Sequence, residues 1–377
     1  MLKPDNPFIL RHYSGPEFFC NREFETDSLL KNIENKVNTI CFAQRRLGKT
    51  ALLHHVFNKL SKDSNADCIY IDIYATQRLQ EFTNQLANSI FKIYPEKRGV
   101  GKRFWELIKL LRPVVTIDEL SGTPELSLDI NQPKQIERSI PQLLSFLDQQ
   151  KKKVVIAIDE FQQILTYPEN NVEALLRTAI QPLENVSFIF CGSNQAMMFE
   201  IFNSVKRPFY ASASSLHLQK IEAGDYFKFI EQHFRNNSRV IEPDAINDLL
   251  ELTKIHTYYT QLLCHRVFSL KHKVINASIV HKELNHILVE NEGIYFQYRN
   301  LLTNAQWRLL KAIAIEEEVE QPYSHQFLSK HRLGTSAMVK RSMESLINKE
   351  MIYRNISVDK PYFEVYDKFL MRWLQRR

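Results

Sequence analysis

Cys41-Phe42-Ala43-Gln44-Arg45-Arg46-Leu47-Gly48-Lys49-Thr50 lies between the apolar run Val37 to Phe42 and the helical run Ala51 to Leu60. A strand, a short loop ending Gly-Lys-Thr and a helix, in that order, spell a phosphate-binding loop. Its backbone N–H groups and the helix N-terminus wrap an anion. Gly48 lets the backbone approach a phosphate, Lys49 reaches the β and γ oxygens, and the Thr50 hydroxyl can ligate Mg²⁺. Ala43 stands where the usual pattern has its first glycine, a position at which positive φ would strain a β-carbon. Taken alone, Gly-Lys-Thr also fits a capped, solvated turn, so the reading leans on two later strand ends.

Around this stretch the chain runs to 377 residues, more than one hydrophobic core usually organises, so two or three domains are expected. Hydrophobic residues at 44% and charged ones at 24% exclude a disordered or fibrous chain. The five cysteines, Cys20, Cys41, Cys68, Cys191 and Cys264, are scattered without metal-ligand spacing and read as free thiols in a reducing compartment. No apolar run of about 18 residues and no signal-peptide core is present, which sets the expectation at a cytoplasmic protein without a membrane partner. A net charge of +6 is compatible with nucleic acid but does not demand it.

In chain order, Pro7 to Cys20 is an extended lead-in expected to flank a nucleotide, and Asn21-Arg22-Glu23 opens an amphipathic helix to about Ile33. Cys68 to Ile73 has strand character and Leu79 to Tyr94 helical periodicity, a second βα unit. Two β-like pieces between Pro113 and Ile130 flank Ser121-Gly122-Thr123-Pro124 and fit a hairpin insertion; a helix returns over Lys134 to Gln149. Val154 to Asp159 and Val186 to Cys191 are nearly continuous apolar runs of the kind buried on both faces of a parallel sheet, and Ser214 to Ile221 is a fifth strand. The alternation predicts an α/β three-layer sandwich over residues 1–222. From Ala223 consecutive helices without a strand predict a helical lid over 223–300. Helices at Ala305, Ser324 and Ser336, then two short strands, predict a winged helix over 301–377. The closing segment Tyr366 to Leu374 carries aromatics at helical spacing and should dock on the body.

Asp159 and Glu160 end a buried strand, expected to lie next to the strand that leads into the loop, and open α/β sheets bind ligands at such strand ends. Asp159 would hold Mg²⁺ while Glu160 orients and deprotonates water, the division of labour phosphoryl transfer needs; the alternative is an Asp-Glu capping the next helix. Val114 to Glu119 has the same ending, but Pro113 and the following Ser-Gly-Thr-Pro place it in the hairpin. Ser193 and Asn194 would touch a γ-phosphate or the attacking water, or Asn194 caps the next helix. Arg207 would offset transition-state charge in its own or a neighbouring subunit, or is a solvated basic turn. Arg45 and Arg46 face phosphate or anchor outward, and His256 is a nucleotide contact or a structural histidine. On the winged helix, Lys340, Arg341 and Lys349, with Arg332 and Arg354, suffice for DNA phosphates and equally for a solvated face.

Assembled, these pieces resemble a family, the archaeal-type ATPases of the STAND branch of P-loop NTPases, over nearly the full length. Phe19 to Glu25 looks like the family motif before the first helix, Ala43 to Thr50 like its Walker A with a double Arg, and Ile158 to Gln162 like its Walker B. Cys191-Gly192-Ser193-Asn194 is similar to the sensor strand end, and Phe363 to Trp373 to the C-terminal signature. The resemblance implies an AAA-like core, a lid and a winged helix working as an ATP-driven switch. Its nucleotide, ATP or ADP with Mg²⁺, would be bound through Asn21, Arg22, Ala43 to Ala51 and His256, with Lys49, Glu160, Asn194 and Arg207 in catalysis and Thr50 and Asp159 on the metal. Ala43, and Ile255-His256-Thr257 where relatives often have Gly-His-Pro, depart from the pattern and imply low affinity or turnover. A protein partner or a homo-oligomer is compatible with this layout. The rival readings are a DNA-binding regulator of origin-initiator layout and a scaffold that holds ADP permanently.

Overall fold

The structure, a computed structural model, describes residues 4–62, 66–95, 99–109, 113–117, 124–128, 133–356 and 360–376. The chain divides into two compact units, Arg22–Leu218 and Met1–Asn21 with Gln219–Arg377.

The first unit is built on five parallel strands, β1 (Thr39–Ala43), β2 (Ala66–Asp72), β3 (Lys153–Asp159), β4 (Val186–Gly192) and β5 (Ser214–Leu218). Their order across the sheet is β2-β3-β4-β1-β5. The apolar runs explain the centre: in β3 every residue after Lys153 is buried, and all seven residues of β4 are, which is what helices on both faces require. Helices Lys49–Lys62, Leu79–Ile93, Pro133–Asp148, Val172–Ile180 and Gln195–Asn203 alternate with the strands, as parallel crossovers demand. The fold is the expected three-layer α/β sandwich.

One expectation fails here. The loop strand β1 and the carboxylate strand β3 were read as neighbours, and β4 lies between them. Apolar runs identify strands but not their order, and any order consistent with right-handed crossovers suits the same pattern.

The insertion after β2 contains an antiparallel pair, Pro113–Ile117 with Pro124–Leu128. Helix Leu79–Ile93 holds it: the Asn88 side-chain oxygen accepts from the Leu126 N–H at 3.2 Å and that of Asn84 from the Leu128 N–H at 3.0 Å. Asp118, Glu119 and Ser121 to Thr123 lie outside the described residues.

In the second unit, helices Ala223–Asn236, Pro243–Thr253, Thr257–Ser269 and Ala277–Glu290 follow one another. The lid was expected to be free of strands, yet Val240–Ile241 and Val274–Ile275 pair in parallel. Two residues are too few to leave an alternation signal. The winged-helix elements are Asn304–Glu316, His325–His331 and Ser336–Asn348, then a hairpin of Ile352–Asn355 with Tyr362–Val365, to which Val319 adds a bridge at Phe363. The lead-in packs onto this unit's helices, with Phe8 fully buried among Phe229, Phe234 and Phe268. The closing helix Lys368–Gln375, capped by Asp367, docks as expected through Phe369 on Tyr259 and Trp373 on Tyr295. Among the described residues no helix is long and apolar enough to cross a membrane.

Candidate nucleotide site

The loop after β1 carries its left-handed residues at Arg46, φ 63°, and Gly48, φ 93°. Ala43 is the last paired residue of β1, opposite Leu218, so its backbone is extended and has no positive φ for a glycine to relieve. The left-handed step has moved to Arg46, at a cost of about 1 kcal/mol for a residue with a β-carbon. Behind the loop, the buried Arg22 guanidinium donates to the Leu47 carbonyl at 3.3 Å and pairs with Glu25 at 2.7 Å. Its place is against the loop's backbone. Arg45 reaches toward Ser193, Nε to Oγ at 3.4 Å.

The helix that starts at Lys49 presents Lys49 and Thr50 to the end of β3. The Lys49 ammonium lies 2.8 Å from Asp159 Oδ1 and 3.3 Å from Glu160 Oε1. The Thr50 hydroxyl donates to Asp159 Oδ2 at 3.0 Å, and so does the Tyr70 hydroxyl from β2 at 2.9 Å. The Glu160 N–H completes the set on Oδ1 at 3.0 Å. Glu160 itself has φ 55°, and its Oε2 accepts from Ser193 Oγ at 2.7 Å and Gln162 Nε2 at 2.5 Å. Gln162 is seated beside Gly192 at the end of β4: a β-carbon on Gly192 would stand 2.5 Å from Gln162 Oε1 and from Met198 Sδ.

Burial pushes the Asp159 carboxyl up, but the Lys49 charge and the donors from Lys49, Tyr70 and Thr50 outweigh it and hold the group below the usual carboxylate value. Glu160 behaves alike: burial raises it, and Lys49, Ser193 and Gln162 bring it below its ordinary value. Burial alone would favour a neutral Lys49; the Asp159 and Glu160 charges reverse that and raise its pKa. Asp159, Glu160 and Lys49 are therefore all held in their charged forms at neutral pH.

Its donors suit Mg²⁺, since a hydroxyl and carboxylates are hard oxygens. Among the described residues no group of three or more His, Cys, Asp or Glu is arranged to hold a metal ion by itself. A Mg²⁺ held by Thr50 and Asp159 would complete its shell with water and substrate phosphate, its usual habit.

The residues named from sequence divide. Lys49, Thr50, Asp159 and Glu160 converge, with Gly48 and the loop around them. Asn194 caps helix Gln195–Asn203, its side chain accepting from the Met197 N–H at 3.1 Å. Arg207 pairs with Glu173 at 2.6 Å and with Glu200. Asn21 donates to Asp225 and His256 is fully buried, both in the second unit. Tyr70 and Gln162 were not singled out as site residues. The pairing of β2 with β3 that brings Tyr70 in leaves no local trace.

Residues 19–253 match the family described as an ATPase domain predominantly from Archaea. The chain belongs to that family. Residues 293–376 match a probable winged helix domain, and no curated protein matches the chain. Among solved structures, the chain is similar to a Walker-type ATPase of Pyrococcus abyssi, with 18% identity, a TM-score of 0.67 and coverage of 98% of this chain and 99% of that one. It is also similar to the ORC2 protein of Aeropyrum pernix, solved as ADPNP-ADP complexes, at 13% identity and TM-score 0.60, over 98% of this chain and 96% of that one. The ORC1 protein of the same organism, solved in complex with DNA, gives 13%, 0.52, 99% and 96%. At such identities the likeness is one of fold.

This archaeal-type ATPase thus joins a P-loop sandwich to a C-terminal winged helix. The loop helix, β2 and β3 meet at Asp159, and the turn after β4 reaches Glu160 through Ser193.

Proposed function

We propose that this ATPase-family protein binds Mg·ATP, hydrolyses it slowly and works as a nucleotide-driven switch. The observation that carries the reading is the convergence on one carboxylate: Lys49 at 2.8 Å and Thr50 at 3.0 Å from Asp159, with Glu160 next in the chain. Lys49 would neutralise β and γ oxygens beside the loop's backbone N–H groups, and Thr50 with Asp159 would hold Mg²⁺. The metal would supply charge neutralisation at the phosphates. Glu160 would align a water on the γ-phosphorus and take its proton as the new P–O bond forms and the bond to the ADP oxygen breaks.

Slowness fits the state of Glu160. One of its oxygens is taken by Ser193 and Gln162, and its backbone is left-handed, so the base must shed donors before it serves a water. Support for a switch comes from the junction Asn21-Arg22. Both residues are left-handed, at φ 52° and 73°. Arg22 holds the loop carbonyl of Leu47, whereas Asn21 holds Asp225 in the second unit. A change in the loop on γ-phosphate loss therefore acts directly on a strained link between units.

The test is ATP turnover with Mg²⁺ for the wild type, Lys49→Ala and Glu160→Gln. Turnover in the wild type that both variants sharply lower is the expected result; a wild type that neither binds nor hydrolyses ATP sinks the reading.

A further inference from the structure

Tyr70 stands on β2, one of the sheet's two edge strands, two residues before Asp72, which lies opposite Asp159 in the parallel register. Residues two apart in a strand share a face, so Tyr70 and Asp72 project to the same side. The ring of Tyr70 is braced by His54, centroids 5.1 Å apart at 41°. Its hydroxyl is thereby aimed at Asp159 Oδ2, the oxygen that Thr50 also reaches.

Resting on the Mg·ATP reading above, we propose that Tyr70 is a positioning residue whose hydroxyl fixes the Asp159 carboxylate to receive Mg²⁺. Four donors hold this carboxylate: Lys49, Thr50, Tyr70 and the Glu160 N–H. Two of them are wanted elsewhere once nucleotide binds. Lys49 is drawn to phosphate oxygens, and the Thr50 oxygen turns its lone pair to the cation. Asp159, only 4% exposed, would then keep one backbone donor and a single side-chain donor, Tyr70. A carboxylate that must face a cation needs its other lone pairs tied down, because ligand orientation is set by such outer hydrogen bonds. Tyr70 makes a contact that substrate does not compete for. It also explains why a hydroxyl stands here on a strand whose alternate residues, Ile69 and Ile71, are simply buried and apolar.

Tyr70→Phe keeps the ring against His54 and deletes only the donor. The probe is a fluorescent ATP analogue whose binding is followed first in EDTA and then as Mg²⁺ is titrated in. Removal of an outer-sphere partner typically weakens metal binding about 10- to 100-fold. The half-saturating Mg²⁺ concentration should rise by that factor, while nucleotide affinity in EDTA stays within about twofold of wild type. In an Asp159→Asn background the same substitution should add no further shift, because the two act through one carboxylate. That non-additivity is what a merely structural tyrosine would not produce, and it remains readable if Tyr70→Phe lowers the melting temperature. An unchanged Mg²⁺ midpoint in Tyr70→Phe, or equal shifts in both backgrounds, overturns the role of Tyr70 while leaving the ATPase reading standing. A wild type whose nucleotide binding ignores Mg²⁺ overturns both.

Discussion

Replacing Lys49 with alanine removes the ammonium that pairs with both Asp159 and Glu160 and leaves two like charges side by side. Asp159 is 4% exposed and Lys49 8%, so water does little to compensate. Breaking a buried ion pair by deleting one partner typically costs about 3–5 kcal/mol. The Glu160 side chain keeps 18% of its surface, so the lower end, about 3 kcal/mol, applies. For a unit of this size each kcal/mol moves the melting temperature by about 2–4 °C, which gives a drop of about 6–12 °C at pH 7.5. The pH dependence follows from the directions of the shifts. In the wild type, burial raises the Asp159 carboxyl but Lys49 and the hydrogen bonds bring it below its ordinary value. Its contribution is therefore present above the unfolded pKa of about 4 and is lost only as the pH falls through the lower folded value. Without Lys49, burial is opposed by the donors from Tyr70 and Thr50 alone, so the folded value should rise and, where burial outweighs them, pass the unfolded one. The variant then loses stability as the pH climbs through that raised value, so the gap between the proteins should narrow from pH 7.5 to pH 4.5. Calorimetry at both pH values reads this directly. Equal melting temperatures at pH 7.5, or a gap of the same size at both, would show that the ammonium is not compensating these carboxylates.

Glu160→Gln should retain Mg·ATP binding and lower turnover by about 10²- to 10⁴-fold, the range for losing a general base, as read by phosphate release beside a binding titration. Gly192→Ala puts a β-carbon against Gln162 and Met198 and should cost about 1–3 kcal/mol by denaturant unfolding; a variant as stable as wild type would mean that β4 yields easily at its end. The double change Lys340→Glu and Arg341→Glu alters two exposed charges on helix Ser336–Asn348 and should leave ATP turnover unchanged. If the winged helix grips duplex DNA, the same variant must bind it more weakly with a shallower salt dependence, and identical salt slopes would exclude a phosphate-contacting role for that face.

Much of the architecture was legible because strong local patterns carried it. The apolar runs of β3 and β4 announced strands buried on both faces, and Gly48-Lys49-Thr50 announced a helix start beside an anion. The winged helix was legible from its order of helices and hairpin. What stayed hidden is non-local. Val240–Ile241 and Val274–Ile275 are strands only because they pair with each other, and Phe8 is a core residue only because distant helices close over it. The insertion hairpin was visible in its turn residues, but not its attachment through Asn84 and Asn88, which look like ordinary polar positions on a helix.

The placing of β4 between β1 and β3 shows how a wrong neighbour can leave the chemistry intact. Strands two places apart lie about 10 Å from each other, too far for residues on them to share one ion. Lys49 escapes that limit because it belongs to the first turn of the helix, beyond the loop, and its long side chain reaches back across the strand ends to Asp159. The strand between contributes too. It ends in Gly192, which leaves room for Gln162, and then delivers Ser193, so the two donors that hold Glu160 exist because β4 occupies that place. Asp159 is in turn held from its other side by Tyr70 on β2. The intervening strand is thus what allows one carboxylate to be set for a cation while its neighbour is held back as a base, a separation that adjacent β1 and β3 would leave no residue to make.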